Sequence, residues 1–420
     1  MTKTNDHKSI NITSEIGKLE GVILHTPGHE VENMTPQNAE RALYSDILNL
    51  SVSLSEYKQL EGVLTMLTET YQIKELLIDI LHNERVKHEL IGRICDNEKI
   101  NGERNMLLSL NPDELATKLI EGVVMQKNSL TKYLSSQRYA LKPLHNFFYT
   151  RDAAVAIQDK ILISRMANKV REREAMIMEA IFDYHSNFST GTFNPIKGQP
   201  QYPEIKIEGG DILVAREDTL LMGIGARTSS QGVDHVLQQI KKTDSKQYII
   251  VQELPLQPES FIHLDMVFTF ISKNECMVYD PVILKPNKLQ TVLITIEKNK
   301  VQFKEQDNLI TALNHIGMEV EPLYCGGRKD AWIQQREQWH SGANFFAVAP
   351  GKIIGYARNY YTIEELNNHG YEVISAVDMI EKKSSPDNYD KCVITLEGSE
   401  LPRGGGGARC MTMPFRREIC

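Results

Sequence analysis

One cysteine in this chain stands apart from the other five. Cys410 lies in the segment Arg403–Pro414, RGGGGARCMTMP, just after four consecutive glycines. Glycines lack Cβ atoms, so backbone of this kind can close tightly around a small ligand. Arg409 next to the thiol is expected to favour the nucleophilic thiolate. Taken alone, the run suits a disordered tail equally well.

Three further segments carry acids and a histidine. In FIHLDMVF, His263 and Asp265 are two residues apart, and on a strand that spacing turns both to one face. An ordinary strand-edge pair explains them as well. In KIEGGDIL, Glu208 and Asp211 flank two glycines that permit a bend or bulge able to re-aim both acids; a plain turn is the simpler reading. Asp152 ends NFFYTRD, where an aromatic strand would place an acid at a solvated end or inward against a ligand.

Together these supply a thiol, an imidazole and several carboxylates. A cysteine protease needs donors at its oxyanion, and this set offers anions instead. Carboxylates suit a cationic substrate, above all a guanidinium, whose planar N–H donors they match in pairs. The chemistry expected is attack of a thiol on a carbon held by acids, with His263 moving protons. The same acids repel a negative sulfur and raise the thiol pKa. The free site is thus expected to hold a protonated Cys410.

Elements able to position these residues recur along the chain. FFYTRDAAVAIQDKILISRM with VREREAMIMEAIFDY, IKIEGGDILVAREDTLLMGIG with SQGVDHVLQQIKK, FIHLDMVFTFISKNECMVYD, and GANFFAVAPGKIIGYARN with YTIEELNNHG each read as two strands, joined in all but the third to a following helix. The strand in EGVILHTPG, stopped by Pro-Gly, would close a fifth unit with the chain around Cys410. Such repetition at roughly 50-residue spacing suggests radial symmetry about one central site. Residues from about 36 to 70 read as helical, and 71–141 as an all-helical insert with almost no strand signal. Residues 1–70 and 142–420 then form the α/β catalytic domain.

Length of 420 residues, 41% hydrophobic and 24% charged content describe an ordinary soluble chain. A net charge of −8 argues against a general nucleic-acid binder. The six cysteines form no CxxC pair, so neither a zinc site nor a disulfide framework is expected. The polar first 18 residues lack the apolar core of a signal peptide, and no segment is long enough to span a bilayer. A reduced, cytoplasmic protein is expected. The glycine run lacks a following GK[ST], which speaks against a phosphate-binding loop.

In this order and spacing, SEIGKLEGVILHTPG, NFFYTRD, EGGD, RTSSQG, HLD, REQW, GANFFAVAPG and RGGGGARCMTMP closely resemble bacterial arginine deiminases over essentially the whole chain. The resemblance implies a five-bladed α/β propeller, the pentein fold, and hydrolysis of L-arginine to L-citrulline and ammonia without metal or organic cofactor. It implies Cys410 as nucleophile, Asp152 and Asp265 as clamps on the guanidinium, and His263 as general acid then base. Glu208 would orient His263. Arg171 and Arg227 would hold the substrate carboxylate, with Asn146 at the α-substituents and Tyr149 in place of a phenylalanine against the substrate stem. Asp211, at the EGGD turn, is placed with the substrate-binding residues. A homo-oligomer, dimer or tetramer, is expected, with no nucleic-acid or membrane partner.

The chain departs from the family pattern at Gly405, where many relatives carry arginine, and at His145, Ala153 and Ala226. Other guanidine-modifying enzymes of the same fold remain alternatives: agmatine deiminases, arginine dihydrolases, methylarginine hydrolases and amidinotransferases. A non-catalytic arginine-binding protein is a further one. Two arginines poised for a carboxylate would serve no purpose with agmatine, and the helical insert argues against the shorter methylarginine hydrolases.

Overall fold

A computed structural model describes residues 8–35, 46–195, 204–241, 245–258 and 261–420. The first seven residues of the polar N-terminus and residues 36–45 of the expected 36–70 helical stretch lie outside them.

Five sheets share one pattern. In each, two strands pair antiparallel, and the second is joined through a crossover to a third strand that pairs with it in parallel. The blades are Ala154–Ile157, Lys160–Ile163 and Gly191–Phe193; Ile212–Arg216, Thr219–Ile224 and Gln247–Glu253; Phe268–Phe270, Glu275–Val278 and Glu321–Tyr324; and Phe346–Ala349, Lys352–Tyr356 and Cys392–Leu396. The fifth joins both ends of the chain, with Met413–Arg417 antiparallel to Leu19–Leu24 and Glu69–Gln72 parallel to it. Parallel neighbours require a crossover of a dozen or more residues. Helices Leu50–Leu67, Glu172–Tyr184, Ser230–Ile240, Leu309–His315 and Tyr360–Asn368 lie in these crossovers.

Two features depart from the expected repeat. The strand Glu69–Gln72 takes Tyr71 and Gln72 into a blade, ahead of the helical stretch. The hairpin Thr291–Glu297/Lys300–Gln306 lies within the third repeat's crossover, yet Thr291–Glu297 pairs antiparallel with Gln247–Glu253 and widens the neighbouring sheet. Its residues Leu293, Ile294 and Ile296 are buried, and this apolar burial favours docking there.

Of the helices Ile73–Leu81, Glu84–Glu98, Arg104–Ser109 and Pro112–Glu121, the second and fourth start on side-chain signals the sequence carries. Asn83 caps the second, and Asn111 with Glu114 forms a capping box on the fourth, beside Pro112 at its first position. Their apolar faces do not form a separate core. Leu76, Leu77, Ile80, Ile91 and Ile94 join one buried cluster with Ile177 and Ile181 of the helix Glu172–Tyr184.

The blades meet through the turn that precedes each first strand. These turns are Thr150–Ala153, Gly209–Asp211, Leu264–Met266, the segment around Asn344, and the segment around Cys410. Hydrogen bonds tie them into a ring. Arg151 N–H donates to the Cys410 carbonyl at 3.1 Å. Asn344 Oδ1 accepts from the N–H groups of Arg409 and Cys410 at 3.0 and 3.3 Å, while its Nδ2 donates to the Asp265 carbonyl at 3.0 Å. Leu264 N–H donates to Asp211 Oδ1 at 2.9 Å. Between the remaining two turns the glycines of EGGD do the work. A Cβ on Gly209 would stand 2.1 Å from the Arg151 carbonyl oxygen, and one on Gly210 would stand 2.5 Å from His263 Nδ1. Only glycine permits that approach.

Candidate active site

The ring of turns delivers the predicted side chains to one place. Asn146, Tyr149, Asp152, Arg171, Arg227, His263, Gly404–Gly406 and Cys410 line a single cavity together with Ile262. Its volume is about 20 Å³, the room of one or two waters. Cys410 is the only cysteine among its lining residues; Cys95, Cys276, Cys325 and Cys392 are buried elsewhere, and Cys420 is exposed.

His263 sits between two acids. Its Nε2 is 2.9 Å from Glu208 Oε2, and its Nδ1 is 3.6 Å from Asp152 Oδ1. Burial opposes the imidazolium, but Asp152, Glu208 and Asp211 outweigh it and raise the histidine to about 9. Glu208 is fully buried; burial pushes its pKa up, but Arg227 and His263 hold it down at about 2. Its other oxygen accepts from Ala167 N–H at 2.9 Å and lies 3.7 Å from Arg227 Nη1.

His263 and Asp265 do not share a strand. His263 is extended and caps the single helical turn Leu264–Met266, which holds Asp265; the strand begins only at Phe268. Asp152 likewise lies in the short helix Thr150–Ala153 before its strand. Turns ahead of the strands bring side chains to the axis at angles that flat strands would not give.

The Cys410 sulfur lies 3.8 Å from Asp265 Oδ2 and 3.8 Å from Met266 Sδ. Burial first, then Asp265 and Asp152, raise its pKa well above the ordinary thiol value. Arg409 does favour the thiolate, as expected from its place beside Cys410, but only weakly, and burial and the acids outweigh it. Arg409 grips Glu15 with two nitrogens at 3.0 Å and Asp265 with a third at 2.7 Å. Its charge is spent on those two carboxylates, leaving a weak effect on the sulfur.

Asp152 and Asp265 are alike in one respect. Each gives Oδ2 to a protein guanidinium, Arg171 at 2.8 Å and Arg409 at 2.7 Å. In each, Oδ1 is buried and accepts no hydrogen bond within the protein. A buried carboxylate oxygen left unbonded costs about 1–3 kcal/mol or more. Two such carboxylates around the thiol make a site short of donors, which a planar cation supplies.

Arg171 is more heavily engaged than its expected role suggests. Besides Asp152 it holds Glu174, through Nε at 3.1 and 3.2 Å and through Nη2 at 2.8 Å. Tyr149 packs its ring on Gly406 and donates its hydroxyl to the Leu401 carbonyl at 3.3 Å. Asp211 does not line the cavity: it stands behind the Leu264–Met266 turn, accepting from Leu264 N–H. There it supports the turn rather than reaching a ligand. Burial raises it to about 7. Glu208 and Asp265 are also fully buried, one layer behind His263 and Cys410.

Asp152, Glu208 and His263 bring three possible metal-ligand atoms within 4.8 Å of one another. Arg171 on Asp152 and Arg227 near Glu208 already supply positive charge there, and a histidine protonated to about 9 opposes a metal cation.

Three residues central to this geometry were not singled out from the sequence. Asn344 occupies in its blade the place that Asp152 and Asp265 occupy in theirs; the motif GANFF was visible, and its position before a strand was the available signal. Glu15 neutralises Arg409 from the N-terminal segment, and nothing local marks it. Glu56 accepts from the N–H groups of Ser399, Glu400 and Leu401 at 2.6–3.1 Å and so anchors the start of the glycine segment.

The chain matches the arginine deiminase family over residues 40–417. It is 30% identical to the arginine deiminase of Listeria monocytogenes over 98% of both chains, and 31% identical to that of Bacillus cereus over 97% of this chain and 98% of that one. Among solved structures it is similar to the substrate-bound N-terminal domain of ArgZ, an arginine dihydrolase of cyanobacteria. The TM-score is 0.52 at 13% identity, covering 95% of this chain and 99% of that one. DDAH from Pseudomonas aeruginosa in complex with citrulline gives 0.50 at 13%, covering 95% and 100%. At that identity these two speak for the pentein fold alone. Fold, site and sequence together place this chain in the arginine deiminase family.

Proposed function

We propose that this protein hydrolyses L-arginine to L-citrulline and ammonia, with Cys410 as nucleophile. The observation that carries this reading is the convergence of Asp152, His263 and Cys410 on one cavity, with Asp265 against the sulfur and one buried oxygen of each of the two aspartates left without a hydrogen bond. A guanidinium offers N–H donors to both while presenting its carbon to sulfur. Arg171, Arg227 and Asn146 are assigned to the α-carboxylate and α-amino end, and Tyr149 to the aliphatic stem.

In the free site burial, together with the acids, keeps Cys410 protonated. The arriving cation offsets their charge, and the thiol loses its proton to solvent. The thiolate attacks Cζ, forming the C–S bond. His263, an imidazolium at neutral pH, gives its proton to one terminal nitrogen, the C–N bond breaks, and ammonia leaves a positively charged thiouronium. Neutral His263 then takes a proton from water, whose oxygen bonds to the same carbon. Collapse breaks the C–S bond, the proton left on the product's oxygen returns to sulfur, and citrulline leaves. Dividing the reaction through a covalent intermediate replaces one hard step by two easier ones.

The test is to incubate the protein with L-arginine and quantify citrulline, ammonia and ornithine. Equimolar citrulline and ammonia are expected. Ornithine with two equivalents of ammonia would move the chain to the dihydrolase reading that the ArgZ likeness brings; absence of turnover would leave a binding protein.

A further inference from the structure

The largest cavity among those described, about 580 Å³, lies away from the thiol, where the helical insert meets the start of the helix Glu172–Tyr184. That volume falls in the range of small-molecule sites. Its walls carry Lys99, Lys132, Lys142, Lys169 and Arg173 against Glu98 and Glu103. In a chain of net charge −8 this is a local reversal of sign. Lys132 is paired with Glu103 at 2.9 Å. Ile100, Met125 and Val170 add an apolar wall.

Arg173 marks the cavity as more than a solvated groove. Its side chain is 1% exposed and lines the space. Nη2 donates to the Lys142 carbonyl and Nη1 lies 3.0 Å from Glu98, but Nε is buried without a hydrogen-bond partner. A buried cation with an unused donor is costly unless an acceptor completes it. Around it, lysines from the insert (Lys99, Lys132) and from the turn before the helix (Lys169) converge from separate elements, which a merely solvated face would not require.

We infer that this cavity binds a small anion bearing a phosphate group, with Arg173 as its buried donor, Lys99, Lys132 and Lys169 as charge partners, and Ile100, Met125 and Val170 receiving an organic part. Phosphate fits better than a single carboxylate because several cations converge and one guanidinium donor is already desolvated. The site is separate from the cavity at Cys410, although Lys169 and Arg171 belong to one short turn and face different cavities.

The experiment is calorimetric titration of the intact protein, without arginine, using AMP and inorganic pyrophosphate as probes. Binding is expected to weaken at least tenfold in a Lys99→Ala/Lys132→Ala double variant and to change less than twofold in Arg227→Leu. Tighter binding of AMP than pyrophosphate assigns the apolar wall to an organic phosphate; equal or tighter pyrophosphate assigns the site to the phosphate group alone. No heat with either probe, affinity untouched by the lysine changes, or loss in Arg227→Leu would overturn the proposal, the last by placing the anion in the arginine cavity. Because the readout is binding, its failure is distinct from any failure of the deiminase reading.

Discussion

Glu208→Gln isolates what the second acid does for His263. The rise of His263 from 6.5 to about 9 corresponds to about 3 kcal/mol in favour of the imidazolium. Glu208 contributes through a 2.9 Å hydrogen bond to Nε2 and through its charge. Glutamine keeps the size and an oxygen for Ala167 N–H. It removes the charge and leaves Arg227 Nη1, 3.7 Å from the old carboxylate, unbalanced. The histidine pKa should therefore fall, with Asp152 still holding it up. As His263 must start protonated, the alkaline limb of kcat/KM should move down from near 9, and kcat/KM at pH 8 should drop while the value at pH 6 changes little. The assay is citrulline release at arginine well below KM from pH 5 to 10. Stability gives a second readout. The folded pKa lies above the unfolded 6.5, so the wild type's stabilisation is present below 6.5 and is lost as pH rises through about 9; the variant should lose less over that window. An alkaline limb that stays in place, or an equal loss of kcat/KM at every pH, would refute the argument.

Cys410→Ser should lose nearly all turnover yet still bind arginine, whereas serine at Cys95, Cys276, Cys325, Cys392 or Cys420 should retain it; citrulline assays of the six variants decide, and turnover by Cys410→Ser would remove the nucleophile assignment. Arg227→Leu should lower kcat/KM for arginine by about 30-fold or more, on about 2–5 kcal/mol for a partly desolvated charge pair, and leave agmatine turnover little changed; parallel loss on both substrates would contradict its contact with the α-carboxylate. Asp211→Asn keeps an acceptor for Leu264 N–H and removes an acid raised to about 7. The wild type's folded pKa exceeds the unfolded 3.8, so its stabilisation is lost as pH rises to 7. The variant should accordingly gain on the wild type by about 2–3 kcal/mol between pH 5 and pH 7 in denaturant titrations, and a constant gap would refute this.

Much of the machinery was legible because it is local. The repeated order of strand, strand and helix, the capped helices of the insert, and the EGGD, HLD and RGGGGARC segments are short-range patterns. Each motif keeps its chemical groups within a few residues of a glycine or a strand start. The sequence thereby determined which side chains are available and that blade turns would present them.

Tertiary structure decided how they are paired. Arg409 neighbours Cys410 in the chain, but its charge goes to Glu15, 394 residues away, and to Asp265. A buried guanidinium is driven to whichever carboxylates lie within reach, and sequence spacing does not reveal them. The same holds for Glu174 on Arg171, for Asp211 behind the Leu264–Met266 turn, and for Glu56 at the root of the glycine segment. Asn344 acquires its place only when five turns close around one axis and its amide bridges two of them. Desolvation completes the division: a thiol held protonated and a histidine raised to about 9 follow from burial among particular acids, a property of the assembled ring that no single motif contains.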